Sequence, residues 1–376
     1  MIKSLKIKGY RAFKEFEMTD LGRVNLLVGR NNTGKTSILE GLYILASDAA
    51  PIALWNVLAR RGEQVTPEPQ PNRPVQAEAD ISHLFHGHEI APNTELSIST
   101  TNDKPAKSIT YRIDMASPAE YVQLFSSVSD EGPISRLALW ISGTPDYKLP
   151  PLPLSKLGLL RGDVLQHFLN LNFPPRKGES AAQLITSESL SINQILQGWN
   201  SIVLTPDEER VVAALRILEK NVERIAQVQV GAVQIFGGAL PLPSRGGFFL
   251  RLKGSDKRIP IGSFGDGMWR MLALSVALVR ARNSILLIDE IDTGFHYSVM
   301  SDMWKLVSEA SELFNVQVFA TTHSYDCVHS LASICEPSDA ETGRITIQRI
   351  EPEKNKAVAF TGSQIKMVAE RNIEVR

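Results

Sequence analysis

The chain has 376 residues, 43% of them hydrophobic, which is enough to bury a large core in one big domain or one carrying an insertion. Forty basic and forty-one acidic residues leave a formal charge of −1, so no global field draws the protein to nucleic acid or a membrane. Cys327 and Cys335 are too few for a disulfide framework or a thiolate metal site and read as reduced cytoplasmic thiols.

At the N-terminus Ile2, Leu5 and Ile7 alternate with Lys3, Lys6 and Lys8, and no apolar run suits a signal peptide or a membrane span. The expected setting is therefore cytoplasmic, without membrane contact. Residues 2–8 and 24–28 read as strands, linked by a turn-prone segment containing Gly9, Arg11 and Asp20-Leu21-Gly22. Directly after the second strand comes Gly29-x-x-x-x-Gly34-Lys35-Thr36, followed by an apolar helical pattern through Ile38, Leu39, Leu42, Tyr43 and Leu45. Strand, glycine loop and helix in that order form a P-loop: backbone N–H groups wrap a phosphate chain at a helix N-terminus, Lys35 reaches the terminal phosphates and the Thr36 hydroxyl meets Mg²⁺. Arg30, Asn31, Asn32, Thr33, Gly34, Lys35, Thr36 and Ser37 are the candidate nucleotide-binding residues.

Pro51 to Arg60 reads as another short helix, and four prolines between Pro67 and Pro74 describe a loop. DISHLFHGH brings His83, His86 and His88 together without a regular ligand framework, which favours surface or packing roles over metal ligation. Segments 94–101 and 108–115 alternate as two antiparallel strands around an Asn102-Asp103-Lys104-Pro105 hairpin loop. Residues 133–178 are punctuated by prolines but keep apolar runs at Ile134 to Ile141 and Val164 to Leu171, as in a folded insertion.

Thr205-Pro206-Asp207-Glu208 is a helix start with a Thr cap and proline at the first position. Val211, Leu215, Leu218, Val222 and Ile225 extend it as one apolar stripe, expected to pack a single helix on the body rather than to build a paired-helix arm. Beyond Gly237-Gly238, Gly247 to Lys253 reads as a strand, and a glycine-rich turn precedes a strongly apolar helix from Trp269 to Leu278. Ser284 to Ile288 is a core strand ending in Asp289-Glu290, Val299 to Leu313 an amphipathic helix, and Val316 to Thr321 another core strand with His323 just beyond it. Ile345 to Ile350 and Ala357 to Phe360 are strand-like. Apolar strands separated by helices favour an α/β fold with a mostly parallel sheet covered on both faces. Residues 34–36, 289–290 and 323 would then fall near carboxyl ends of strands, where such sheets bind ligands.

At the exit of a buried strand Asp289 can hold Mg²⁺ opposite the Thr36 hydroxyl, and adjacent Glu290 reads as the group that orients or deprotonates the attacking water. His323 reads as a partner of the γ-phosphate or of that water. Asp292 and His296 flank Gly294, where a turn would either touch a neighbouring subunit or serve only as a turn.

The segments LKIKGYRAF, VNLLVGRNNTGKT, LLIDEIDTGFH and TTHS, together with the ending AERNIEVR, resemble the ATP-binding-cassette-type ATPases of recombination and chromosome maintenance. More narrowly they resemble the short bacterial ATPases related to the overcoming-lysogenization-defect (OLD) group. The matching segments lie at both ends of the chain, about a third of it. The resemblance implies a P-loop NTPase of the ABC head type, with a mixed sheet core and a helical insertion. The implied division is an N-terminal lobe at 1–130, the insertion at 131–240 and a C-terminal lobe at 241–376. It also implies a nucleotide-sandwich homodimer, or a higher even oligomer, in which the signature turn of one subunit completes the other's site.

That turn is Gly262-Ser263-Phe264-Gly265-Asp266, with Ser263, Gly265, Asp266 and Arg270 as the residues offered in trans. It departs from the family pattern: Gly262 replaces the usual leucine, Phe264 the first usual glycine, and Asp266 a glutamine or glutamate. Arg270 would contact phosphate or stabilise the turn. The family's lobe glutamine would be Gln76, Gln123 or Gln166, and Arg11 either approaches nucleotide or is structural. Many relatives carry a C-terminal metal-dependent nuclease domain, for which too few residues follow the last core strand here, so if nuclease chemistry is involved, it is expected from a separate effector protein. The function implied is Mg²⁺-dependent ATP hydrolysis switching a dimer between closed and open states to control that effector in anti-phage defence. The alternatives are a repair or chromosome-maintenance ATPase that binds nucleic acid, and an ATP-binding scaffold or sensor with little turnover. A guanine-nucleotide switch is disfavoured by the absence of an Asn-Lys-x-Asp stretch.

Overall fold

The computed structural model describes residues 1–48, 50–65, 77–102, 106–117, 136–144, 147–155, 158–162, 182–187, 189–228, 234–235, 238–239, 247–335, 343–351 and 353–370. The chain forms two compact units, Met1–Leu21 with Arg30–Glu179 and Gln348–Ala359, and Gly22–Gly29 with Ser180–Ile347 and Phe360–Arg376. In chain order the main elements begin with strands β1 (Ile2–Tyr10), β2 (Phe13–Met18) and β3 (Val24–Val28), then helices α1 (Lys35–Ala46) and α2 (Pro51–Arg60). Strands β4 (Glu95–Asn102), β5 (Lys107–Met115), β6 (Leu137–Thr144) and β7 (Gln183–Ile185) follow, then helices α3 (Ile192–Ile202) and α4 (Pro206–Leu215). Next come β8 (Val222–Gln227), β9 (Phe248–Leu252), α5 (Asp266–Arg280), β10 (Ile285–Ile288), α6 (Tyr297–Leu313), β11 (Gln317–Thr321), α7 (Tyr325–Ile334), β12 (Ile345–Arg349), β13 (Val358–Thr361) and α8 (Gly362–Glu370).

The first unit is built on an antiparallel sheet in which β6, β5, β4, β1 and β2 lie in that order. Alternation sets its register: Ile7 lies opposite Phe16 on one side and Ile98 on the other, and Ile98 opposite Ile109. These side chains form one apolar ladder because successive residues of a strand point to opposite faces. Helix α1 packs on the ladder at Gly41, where an added Cβ would lie 3.1 Å from Ile98 Cδ1.

The second unit contains the parallel strands. The six-stranded sheet runs β7-β10-β11-β3-β12-β13, with the first four strands mutually parallel. Strands β3 and β11 are buried at every residue, which is why they read as mainly apolar runs, interrupted by Asn25, Gln317 and Thr321, rather than alternating ones. The core behind them draws Leu272 and Val276 from α5, Trp304 and Val307 from α6, Trp199 from α3 and Phe248 from β9.

One expectation fails here. The apolar stripe from Val211 to Ile225 does not form one helix: α4 ends at Leu215, and Val222–Gln227 is strand β8, antiparallel to β9. A register shift between Val222 and Arg224 is the reason. It lets two residues three apart, Val222 and Ile225, both face inward from a strand, and that spacing mimics a helix. The 67–74 loop, the 164–171 run, and Gln76, Gln123 and Gln166 lie outside the described residues.

Candidate functional site

Strand β3 leads into the glycine loop. Gly29 (φ 150°), Asn32 (φ 62°) and Gly34 (φ 91°) all take positive φ, which closes the turn. At Gly34 a side chain is excluded twice, by φ and by the Phe13 ring, whose Cζ would sit 2.4 Å from an added Cβ. Phe13 stacks on Phe16 with centroids 4.6 Å apart, so a buried aromatic pair braces the loop from below. The sequence alone gives no signal that singles out Phe13. The loop folds around the Arg30 carbonyl, which accepts from Lys35 Nζ at 2.8 Å and from the Thr33 hydroxyl at 3.0 Å. Helix α1 starts with no side-chain cap at Gly34 and no acidic residue in its first turn, leaving an N-terminus suited to an anion.

Beside the loop a second set of residues orders α1. Arg11 is buried, with Nε 3.0 Å from Glu40 Oε2 and Nη1 2.7 Å from Glu63 Oε1. Arg61 donates to Glu40 Oε1 at 2.8 Å and to the Ser37 hydroxyl at 3.3 Å. Burial works to lower the Arg11 pKa, but Tyr10, Glu40 and Glu63 outweigh it and hold the guanidinium above its ordinary value. In this geometry Arg11 is occupied by carboxylates of its own unit.

In the second unit β10 ends in the acid pair. The Thr321 hydroxyl donates to Asp289 Oδ1 at 2.6 Å and accepts from the Glu290 amide at 2.8 Å. Glu290 takes φ 50°. Its carboxylate accepts from the Thr293 hydroxyl at 3.3 Å and lies 3.7 Å from His323 Nδ1. Thr322 donates to Asp292 Oδ1 at 2.6 Å, fixing the turn after the acids. Asp289, Glu290 and His323 are thus brought together. The two threonines of TTHS, which sequence reading passed over, make the positioning bonds.

Arg270, one turn into α5, is buried and reaches the same place. Its Nη2 donates to the carbonyls of Asp289 (2.9 Å) and Glu290 (3.0 Å), and its Nη1 to those of Thr186 (2.5 Å) and Ser187 (3.2 Å). Burial pulls its pKa below the usual arginine value, opposed by the carboxylates of Asp289, Asp292 and Glu290. Ser263, Gly265 and Asp266 are exposed at the start of α5, with Gly265 at φ 85° and half-buried Phe264 packed on the core. His296 caps α6 through Nδ1, accepting from the Ser298 amide, and stacks on Tyr297.

Each within its own unit, the Thr36 hydroxyl and the Asp289 carboxylate are oxygen donors of the kind Mg²⁺ takes. Among the described residues no group of three or more His, Cys, Asp or Glu is placed to hold a metal ion. No helix of the described residues is long and apolar enough to cross a membrane.

Residues 24–326 match the family model described as "AAA domain, putative AbiEii toxin, Type IV TA system". A protein named ATP/GTP phosphatase from Helicobacter pylori is 22% identical over 358 residues, covering 90% of each chain. DNA replication and repair protein RecF from Clostridioides difficile is 44% identical over 45 residues, 12% of each chain. In fold, the chain is similar to the SMC head crystallised with the C-terminal winged-helix domain of ScpA, with a TM-score of 0.50 and 12% identity over 96% of this chain and 98% of that one. The α/β fold with its mixed sheet core is that of the SMC head.

Proposed function

Since the chain belongs to the AAA-domain family described for the AbiEii toxin of type IV toxin–antitoxin systems, we propose that it hydrolyses ATP with Mg²⁺ and uses the cycle as a conformational switch. The observation that carries this reading is the acid turn: Asp289 and Glu290, held at the end of β10 by one threonine hydroxyl and by Arg270. Thr36 and Asp289 would hold Mg²⁺, which when bound would supply charge neutralisation for the phosphates. Lys35 swings from the Arg30 carbonyl to the γ-phosphate and offsets its charge. Glu290 accepts a proton from the attacking water, and His323 beside it orients that water or the phosphate. Ser263 and the Gly265 amide, exposed at the start of α5, close on the nucleotide of a second copy. Asp266 adds a negative charge to that surface and would weaken closure. The H. pylori relative's name, ATP/GTP phosphatase, supports the reaction class.

The switch would act on a separate effector, possessing the nuclease chemistry, in anti-phage defence of the OLD-like kind; the toxin–antitoxin description of the family supports a defence setting. The short similarity to RecF favours a second reading, a DNA-binding ATPase of repair. Duplex affinity falling steeply with salt would select that reading.

The test is ATP turnover and ATP binding in two variants. Glu290→Gln should lose turnover while keeping ATP affinity and ATP-dependent dimerisation, and unchanged turnover rejects Glu290 as the base. Lys35→Ala should lose ATP binding, and intact affinity rejects the phosphate-loop reading. A wild-type protein that binds ATP without turnover would be the scaffold or sensor.

A further inference from the structure

The function proposed above leaves the histidines of DISHLFHGH unused. They lie in the first unit, after the strand Glu78–Asp80: His83 on a single 3₁₀ turn Ile81–Leu84 capped by Asp80, whose Oδ1 accepts from the Ser82 amide at 2.9 Å, and His86 and His88 just beyond that turn. The chain then reverses through Gly87 (φ 87°) and His88 (φ 59°). Its backbone is pinned: the His86 amide donates to Gly9 O at 2.9 Å, the His88 amide to Phe85 O at 3.1 Å, and the Arg11 amide to Leu84 O at 2.8 Å. Ile81, Leu84 and Phe85 are buried, while the His83 side chain is 44% exposed.

This anchored turn brings His83 Nδ1 to 3.3 Å from His88 Nδ1. A tetrahedral zinc ion with Zn–N bonds of about 2.0–2.1 Å places two ligand nitrogens roughly 3.3–3.4 Å apart. The pair therefore spans one edge of such a tetrahedron. On the far side of the His83 ring, Nε2 lies 3.5 Å from Asp80 Oδ2, the place of the carboxylate that orients a metal-bound histidine and fixes its tautomer. His88 occupies a left-handed conformation. His86 is turned to the Arg11 carbonyl at 3.0 Å, and among the described residues no third ligand side chain joins the pair.

We infer that His83 and His88 chelate a borderline divalent transition-metal ion of the zinc or cobalt class, with Asp80 orienting His83 from behind and water filling the remaining positions. Imidazole suits these ions, and the geometry is independent of the nucleotide motifs.

The test is calorimetric titration of the tag-free, chelator-treated full chain with ZnCl₂, and its visible absorption with CoCl₂. One equivalent of Zn²⁺ should bind, and Co²⁺ should develop tetrahedral bands. His83→Gln and His88→Asn, the latter tolerating positive φ, keep a polar group but remove an imidazole, and each should weaken binding at least tenfold. Asp80→Asn should weaken it by roughly 10–100-fold. Asp289→Asn should leave it unchanged, which separates this site from the nucleotide site. Absence of binding to the folded wild type, or equal affinity in the double His83→Gln/His88→Asn variant, overturns the inference and leaves the pair as a hydrogen bond between two imidazoles.

Discussion

One hydroxyl, that of Thr321, holds both the Asp289 carboxylate and the Glu290 amide. Thr321→Val keeps the shape and removes both bonds, so turnover should fall sharply, with a stability loss of about 1–3 kcal/mol from the unpaired polar groups. Thr321→Ser should recover most of each, as read by steady-state kinetics and urea denaturation. The Arg270 guanidinium donates to the carbonyls of Thr186, Ser187, Asp289 and Glu290, and so braces the turn after β10 rather than its own signature turn. Arg270→Lys should not substitute, since one ammonium cannot span the fork. The variant should lower both the denaturation midpoint and kcat; loss of ATP affinity with unchanged stability would point to a phosphate contact instead. Cys327 and Cys335 are buried, and burial pushes the Cys327 thiol up, so a colourimetric thiol reagent should react with neither until denaturant is added.

Helix α5 is placed by a close approach at its first turn. A Cβ on Gly267 would lie 2.7 Å from the carbonyl oxygen of Gly294, so the start of α5 and the turn after the acid pair touch backbone to backbone. Gly267→Ala must push one of them away, at a cost of about 1–3 kcal/mol for an overpacked contact, and should reduce turnover more than ATP affinity. At the other glycine turn, Gly34→Ala meets both the Phe13 ring and an unfavourable φ, and should abolish ATP binding in a nucleotide filter assay. Strand β8 shows how an element hides from pattern reading. Its inward residues repeat at three because of a bulge, and only pairing with β9 distinguishes that from a helix.

For the molecule as a whole, ligand linkage gives the broadest check. A ligand present at one hundred times its Kd stabilises the folded state by about 2.7 kcal/mol. Mg-ATP should therefore raise the melting temperature of the wild type and of Glu290→Gln but not of Lys35→Ala, measured by differential scanning fluorimetry. The phosphate loop, the acid pair and the parallel strands were legible in the amino-acid order because each depends on neighbours within a few residues. Gly29 and Gly34 meet positive φ in the loop without a side-chain penalty, and strands buried on both faces carry mostly apolar side chains. The pinning of Glu290 by Thr321, the four carbonyls gathered by Arg270 and the facing imidazoles of His83 and His88 were not. The Thr321 and Arg270 contacts join residues far apart in sequence, and the imidazole pair depends on a reversal whose backbone is pinned by Gly9 and Arg11, so only the folded chain could bring them within hydrogen-bonding reach.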